Sequence, residues 1–272
     1  MSKAEVQILM STYNGARFLK EQLDSILNQT CTNWQLLIKD DGSIDNSGQI
    51  IQEYQQKYPS RIKQVFSDEG GGSSISFMGM LMFVDSPYCM FCDQDDYWES
   101  SKIEISLNRL KELEKEDPMC LVFTDMEVVS DDLKVKLGSF LGLQKLNPDW
   151  IKNPNNILAQ SMAAGCTMIF TLDLIKMIKP INADLFQHDH WVLIHAAIYG
   201  NVAYCDQKTM KYRQHSHNTI GSHTIDWPYF SKKTKELGTL FQRWKYIKKK
   251  FIRKVNILNV FFAKLRVNLA RL

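Results

Sequence analysis

Four apolar runs in the first hundred residues stop abruptly at polar clusters, and helical spacing fills the intervals between them. Glu5-Val-Gln-Ile-Leu-Met runs into Thr12-Tyr13-Asn14-Gly15, and Trp34-Gln-Leu-Leu-Ile-Lys runs into Asp40-Asp41-Gly42-Ser43. Ile62-Lys-Gln-Val-Phe runs into Ser67-Asp-Glu-Gly-Gly-Gly, and Tyr88-Cys-Met-Phe-Cys into Asp93-Gln94-Asp95-Asp96. Apolar runs this short, bounded by turn residues, read as buried strands. Between them Phe18, Leu19, Leu23, Ile26 and Leu27 recur at helical steps, a helix over Ser47–Tyr58 ends at Pro59, and another covers residues 75–84. Strands alternating with helices require an α/β fold, a mostly parallel sheet with helices on both faces. Ligands bind such sheets beyond the carboxyl ends of the strands, and every one of these clusters falls at such an end.

The second half is less regular. Leu121-Val-Phe-Thr-Asp125, Gly165-Cys-Thr-Met-Ile-Phe, Val202-Ala-Tyr-Cys and Met210-Lys-Tyr-Arg read as strands, and Leu172–Ile178 and His190–Tyr199 as helices. The polar, Pro-containing stretch 130–160 reads as a loop region or lid. Near Pro228 the composition changes. Residues 228–272 hold 13 Lys and Arg against one acid, Glu236, which leaves residues 1–227 with 20 basic and 29 acidic side chains. A main domain over 1–227 and a basic tail over 228–272 follow, and so basic a tail on an acidic body predicts a separate anionic partner. The N-terminal residues lack the apolar core of a secretory leader, and no run reaches the ~18 apolar residues of a spanning helix. Six scattered cysteines then fit a cytoplasmic protein with reduced thiols.

Asp93-Gln94-Asp95-Asp96 crowds three carboxylates into four residues, a repulsion that a cation relieves. Such oxygen donors suit Mg²⁺ or Mn²⁺, which complete their shells with substrate phosphates. A solvated acidic turn, with Asp93 capping a helix, is the plain alternative. A carboxylate of Asp40-Asp41 can accept a hydrogen bond from the imide N–H of uracil or thymine, although Asp-Gly is also a common turn dipeptide. Thr12-Tyr13-Asn14 offers a ring and polar groups just ahead of a helix N-terminus, a place for a base or phosphate and equally for ordinary capping. Cys89 and Cys92 would point to opposite faces of a strand and read as core. Gly70-Gly71-Gly72 lacks the spacing and the following Lys of a phosphate-binding loop and reads as a hinge or sugar-side loop.

In this order the three clusters resemble glycosyltransferase family 2. The residues that carry the resemblance are Ser11-Thr-Tyr-Asn-Gly-Ala-Arg-Phe-Leu-Lys-Glu-Gln-Leu-Asp-Ser-Ile-Leu-Asn-Gln-Thr30, Asp40-Asp-Gly-Ser43 and Asp93-Gln-Asp95. More narrowly, Phe91-Cys-Asp-Gln-Asp-Asp-Tyr-Trp98 and Tyr212-Arg-Gln-His-Ser-His-Asn218 are similar to bacterial rhamnosyltransferases of cell-surface polysaccharide synthesis. The resemblance covers roughly residues 4–220 and implies a GT-A fold, a Rossmann-like mixed sheet flanked by helices. Its nucleotide-binding half would span about 1–98 and its acceptor half about 99–227.

The resemblance also implies roles. Thr12, Tyr13 and Asn14 would line the nucleotide, Asp40 would read the base, Asp41 and Asp93 would also contact the nucleotide, and Arg213 would pair with phosphate or hold the acceptor loop. Asp93 and Asp95 would hold Mn²⁺ or Mg²⁺, with His215 as a further contact. Asp189, in Phe186-Gln-His-Asp-His-Trp191, would be the catalytic base; many relatives carry Glu-Asp where this chain has His188-Asp189, and a helix cap is the alternative role. The implied reaction is inverting transfer of L-rhamnose from dTDP-L-rhamnose to a saccharide acceptor on a lipid carrier. A UDP-hexose transferase using glucose or galactose is the enzyme alternative, and a nucleotidyltransferase or a non-catalytic membrane scaffold lies further off.

From Phe241, apolar residues recur at Trp244, Ile247, Phe251, Val255, Leu258, Phe262, Leu265, Leu269 and Leu272, one stripe on a helix with Lys245, Lys248, Arg253 and Arg266 off it. A basic amphipathic helix of this kind fits an anionic membrane surface, which would place the protein peripherally on the inner face of the cell membrane. Packing on the main domain, or on a partner subunit in a homodimer, would use the same stripe. Nucleic acid is not an expected partner, because no nucleic-acid motif accompanies the charge.

Overall fold

The computed structural model describes residues 3–66, 72–215, 229–251 and 255–270, with helical backbone alone for 229–237 and 270. Strands β1 (Val6–Thr12), β2 (Trp34–Asp40), β3 (Ile62–Gln64) and β4 (Tyr88–Cys92) alternate with helices α1 (Ala16–Leu27), α2 (Ser47–Lys57) and α3 (Ser73–Met80). The four strands run parallel in the order β3-β2-β1-β4. Alternate residues feed opposite sides: Val6, Ile8 and Met10 join one core cluster with Leu19, Leu23 and Ile26 of α1, while Leu9 joins the other. Cys89 and Cys92 likewise lie in different clusters, on opposite faces as their spacing requires. Register sets Thr12 beside Asp40 and Met10 beside Cys92, so the polar clusters after β1, β2 and β4 leave the sheet along one edge.

Beyond β4 the sheet turns mixed. Its order continues through β8 (Met168–Thr171), β6 (Cys120–Val129), β9 (Asn201–Arg213) and β5 (Tyr97–Trp98), with β7 (Val135–Leu137) beside β6. Strand β8 is antiparallel to both β4 and β6, so the sheet is mixed as the resemblance implied; alternation alone suggested a mostly parallel sheet because hydrophobic periodicity carries no information on strand direction. The two short strands expected at 202–205 and 210–213 are one strand, β9, whose register against β6 slips near Asp125. The expected loop at 130–160 is instead β7, α5 (Phe140–Leu143), a 3-10 turn at Pro148–Lys152 and α6 (Pro154–Ala159), which bury Leu141, Ile151, Ile157 and Leu158. Helix α4 (Lys102–Glu114), which the sequence reading did not include, buries Ile103, Leu107, Leu110 and Leu113 at helical steps. Two further helices, α7 (Leu172–Met177) and α8 (His188–Tyr199), complete the body.

The tail forms α9 (Tyr229–Lys250) and α10 (Ile257–Ala270), and its apolar stripe divides between two environments. Leu240, Ile247, Phe251 and Val255 are buried in the same core cluster as Phe186 and Trp191, and Trp244 Nε1 donates to Val255 O at 2.9 Å, closing the corner between the helices. In α10 the buried residues are Val260, Ala263 and Val267, and the helix packs on α6. Leu258, Phe262, Leu265 and Leu269 stand exposed on its opposite side. The expected positions Arg253 and Leu272 lie outside the described residues. Among the described residues no helix is long and apolar enough to cross a membrane.

Candidate active site

A cavity of about 720 Å³ opens at the edge where β1, β2 and β4 end. On its β2 side, Asp41 accepts hydrogen bonds from Ser11 Oγ at 2.6 Å and Ser76 Oγ at 2.5 Å and pairs with the buried Lys39 Nζ at 3.0 Å. Asp41 therefore stands on the cavity wall with its charge compensated. Asp40 is tied into the turn instead, its Oδ1 accepting from Ser43 N at 2.9 Å and Ser43 Oγ at 2.6 Å, and it lies off the wall. Asn14, at φ 49, accepts from Ile44 N at 2.9 Å and so joins the β1 turn to the β2 turn. Tyr13 lines the cavity and is 57% exposed. Gln94 Oε1 accepts from Thr12 Oγ1 and from Tyr13 N at 2.9 Å, while its Nε2 donates to Tyr13 O at 3.2 Å. The clamp passes over Gly15, where a Cβ would sit 2.2 Å from Gln94 Oε1.

The acidic loop after β4 places Asp93 and Asp95 on the wall. His215 Nε2 meets Asp95 Oδ2 at 2.8 Å, and its ring stacks on Phe18 with centroids 5.1 Å apart. Burial, then the Asp95 charge, pushes Asp93 up to about 7, which a hydrogen bond from the Cys166 thiol only partly offsets. Asp96 is fully buried; its Oδ1 accepts from Arg213 N at 3.3 Å, its Oδ2 has no partner among the described residues apart from the Cys166 thiol turned toward this carboxyl, and burial holds it well above the usual carboxylate range. Arg213 is also buried: its Nε donates to Asp95 O at 2.9 Å, its guanidinium reaches Asp131 O and the Glu21 carboxylate, and it lies 4.4 Å from the Phe18 ring centroid. It braces the backbone of the acidic loop from behind and does not line the cavity. The residues expected beside it, Ser216, His217 and Asn218, lie outside the described residues, as do Gly70 and Gly71; Gly72, at φ 94, lines the cavity ahead of α3. Asp93 and Asp95 offer carboxylate oxygens of the kind Mn²⁺ or Mg²⁺ takes, the His215 ring is engaged with Asp95, and a cation would favour the ionised form of the carboxyls that burial disfavours.

Asp189 lies in the first turn of α8 and lines the same cavity as Asp93 and Asp95. Burial raises its carboxyl to about 6, against hydrogen bonds from the N–H groups of His190 and Gly165 that favour the ionised form. Gly165 is required here, since a Cβ would lie 2.7 Å from His188 Nε2 and 3.4 Å from Asp189 Cβ. Helix α3 connects the two walls: Ser76 holds Asp41, while Ser74 Oγ donates to Gln187 Oε1 at 2.6 Å and accepts from His188 N at 3.2 Å. The site thus brings together Tyr13, Asp41, Asp93, Asp95 and Asp189, while Thr12, Asn14, Asp40 and Arg213 shape its supports. Ser74, Ser76, Gln94, Gly165 and Cys166 were not singled out by sequence, and only Gln94, inside the acidic cluster, carried a signal that could have found it. An arrangement with a cation-ready acidic loop at one end and a basic carboxylate at the other suits displacement of a diphosphate by a hydroxyl.

Residues 7–171 match glycosyl transferase family 2. The chain is 32% identical over 249 residues to the dTDP-rhamnosyl transferase RfbG of Shigella flexneri, covering 86% of this chain and 80% of that protein. It is 26% identical over 164 residues to the UDP-Glc:alpha-D-GlcNAc-diphosphoundecaprenol beta-1,3-glucosyltransferase WfgD of Escherichia coli, covering 60% of this chain and 58% of that one. Its fold is similar to that of the mannosyltransferase PcManGT from Pyrobaculum calidifontis in complex with GDP-Man and Mn²⁺, with a TM-score of 0.63 at 14% identity over 99% of this chain and 74% of that one.

Proposed function

The chain belongs to glycosyltransferase family 2, and from that premise we propose that it is an inverting, metal-dependent enzyme moving L-rhamnose from dTDP-L-rhamnose to a saccharide acceptor on a lipid carrier. The observation that carries this reading is that Asp93, Asp95 and Asp189 face one cavity at the sheet edge. The nucleotide lies against Tyr13 and the Asp41 wall, with Thr12, Asn14, Asp40 and Arg213 fixing the loops that hold it. Asp93, Asp95 and His215 would hold Mn²⁺ or Mg²⁺, which would supply positive charge to the leaving diphosphate. Asp189 takes the proton of the acceptor hydroxyl as its oxygen bonds to the anomeric carbon; the sugar–phosphate C–O bond breaks and dTDP departs with its electron pair. One displacement inverts the anomeric centre. A carboxylate raised to about 6 is still ionised near neutrality and is a better base than an ordinary one.

A UDP-hexose donor is the second reading, favoured by the likeness to a protein named for UDP-Glc. That protein's diphosphoundecaprenol acceptor also supports a lipid-linked acceptor here. The enzyme would then work peripherally at the inner face of the membrane, with the exposed side of α10 (Leu258, Phe262, Leu265 and Leu269) toward the lipid, a homodimer through the same face being the alternative. The test is turnover with dTDP-rhamnose, Mn²⁺ or Mg²⁺ and a saccharide acceptor. Asp189→Asn should abolish transfer while keeping dTDP affinity, and a normal rate in that variant would remove Asp189 as the base. A panel of sugar nucleotides scored by thermal shift decides the donor: stabilisation by UDP-glucose or UDP-galactose but not dTDP-rhamnose would replace the rhamnose reading.

A further inference from the structure

A second donor set lies behind the one assigned to Mn²⁺ or Mg²⁺. A carboxylate oxygen from each of Asp93 and Asp96 and the Sγ of Cys166 lie within 4.8 Å of one another. Donors sharing one tetrahedral ion at about 2.0–2.3 Å stand roughly 3.3–3.8 Å apart, so side-chain shifts of about an ångström bring these three onto one ion. Asp96 is 0% and Cys166 1% exposed, and apart from the Cys166 thiol turned toward this carboxyl, Asp96 Oδ2 has no hydrogen-bond partner among the described residues. An oxygen buried in that state is costly to keep unless something binds it. Asp93 and Cys166 both line the cavity, which gives an ion its entry path. Sulfur beside two carboxylates favours a thiophilic ion over Mg²⁺ or Mn²⁺.

We propose that Asp93, Asp96 and Cys166 form an inner site for a divalent cation of the Zn²⁺ class, with the thiol proton released to solvent on binding. Asp93 belongs to both donor sets. Where the outer set holds Mn²⁺ or Mg²⁺ as proposed above, the two ions share the Asp93 carboxylate.

Co²⁺ titration of the full chain tests this through thiolate-to-cobalt charge-transfer absorption in the near ultraviolet. The expected result is a band that saturates at a single equivalent, is bleached by Zn²⁺, survives excess Mg²⁺ and is lost in Cys166→Ser. Asp96→Asn should weaken it, whereas replacing Cys31 and Cys205 by Ser should leave it. A wild-type protein without the band, or a band that persists in Cys166→Ser, overturns the site. Binding of dTDP, followed by thermal shift on the same samples, shows that the variants are folded. If the wild type binds cobalt but no nucleotide, the donor reading fails and the inner site stands.

Discussion

Burial gives Asp189 the basicity its proposed task needs. Its carboxyl sits at about 6 because desolvation outweighs the N–H groups of His190 and Gly165. Only the ionised form accepts a proton, so kcat should fall about tenfold per pH unit below that value and level off above it. An acid limb near the ordinary carboxylate range instead would mean that burial is not what sets this base. Gly15 offers a second test, since its Cβ would sit 2.2 Å from Gln94 Oε1 and 2.9 Å from Thr12 Oγ1. Gly15→Ala should open the Gln94 clamp and weaken dTDP binding by roughly tenfold or more, about 1.4 kcal/mol, by calorimetry; unchanged affinity would make the clamp incidental. Asp93 and Asp95 could be singled out in sequence because carboxylates after a buried strand are a local pattern, whereas Asp189 could be singled out only through the family resemblance. The Gln94 clamp was not legible there, because its partner Thr12 is 82 positions away, and Cys166 reaches Asp93 only through folding.

Elements were readable in proportion to their length and isolation. Strands β1 to β4 are short apolar runs closed by turn residues, whereas α5 and α6, of four and six residues, are too short to show a period. Strand β9 read as two strands because its middle residues, Asp206, Gln207 and Lys208, are exposed. The tail shows the limit most clearly. Its stripe was legible, but not that Ile247 and Phe251 turn into the core while Leu258, Phe262, Leu265 and Leu269 turn out. These two halves should respond oppositely. Ile247→Ala should cost about 2–5 kcal/mol of stability, read by denaturant unfolding. Converting Leu258, Phe262, Leu265 and Leu269 together to Gln should leave stability nearly unchanged and reduce sedimentation with anionic liposomes. If the exposed set matters for stability, or if liposome binding persists without it, α10 does not face lipid; loss of a dimer in its place would assign the face to a second copy.

The whole sheet converges its strand ends on one edge, and with them more negative charge than a buried site tolerates alone. Strand order and direction were invisible in sequence because they depend on which segments meet, yet the convergence itself followed from the parallel β3-β2-β1-β4 half. Its energetic consequence is a linkage between pH, metal and stability. Asp93 lies at about 7 and Asp189 at about 6 in the folded protein, against 3.8 as the ordinary value. The folded chain therefore holds protons that the unfolded chain has already released, and these groups weaken the fold as pH rises from about 4 toward 7. A cation held by Asp93 requires that carboxylate ionised, so protons compete with it. The rise in Tm produced by Mn²⁺ with dTDP should accordingly be larger at about pH 7.5 than at about pH 6, by differential scanning fluorimetry. His188, His190 and His195 also affect acid stability, since burial lowers them to about 3, 3 and 4. They do so in loaded and unloaded protein alike, so the difference between the two isolates the carboxylates. A metal-induced rise that is equal or greater at the lower pH would place the cation on other ligands than this acidic loop.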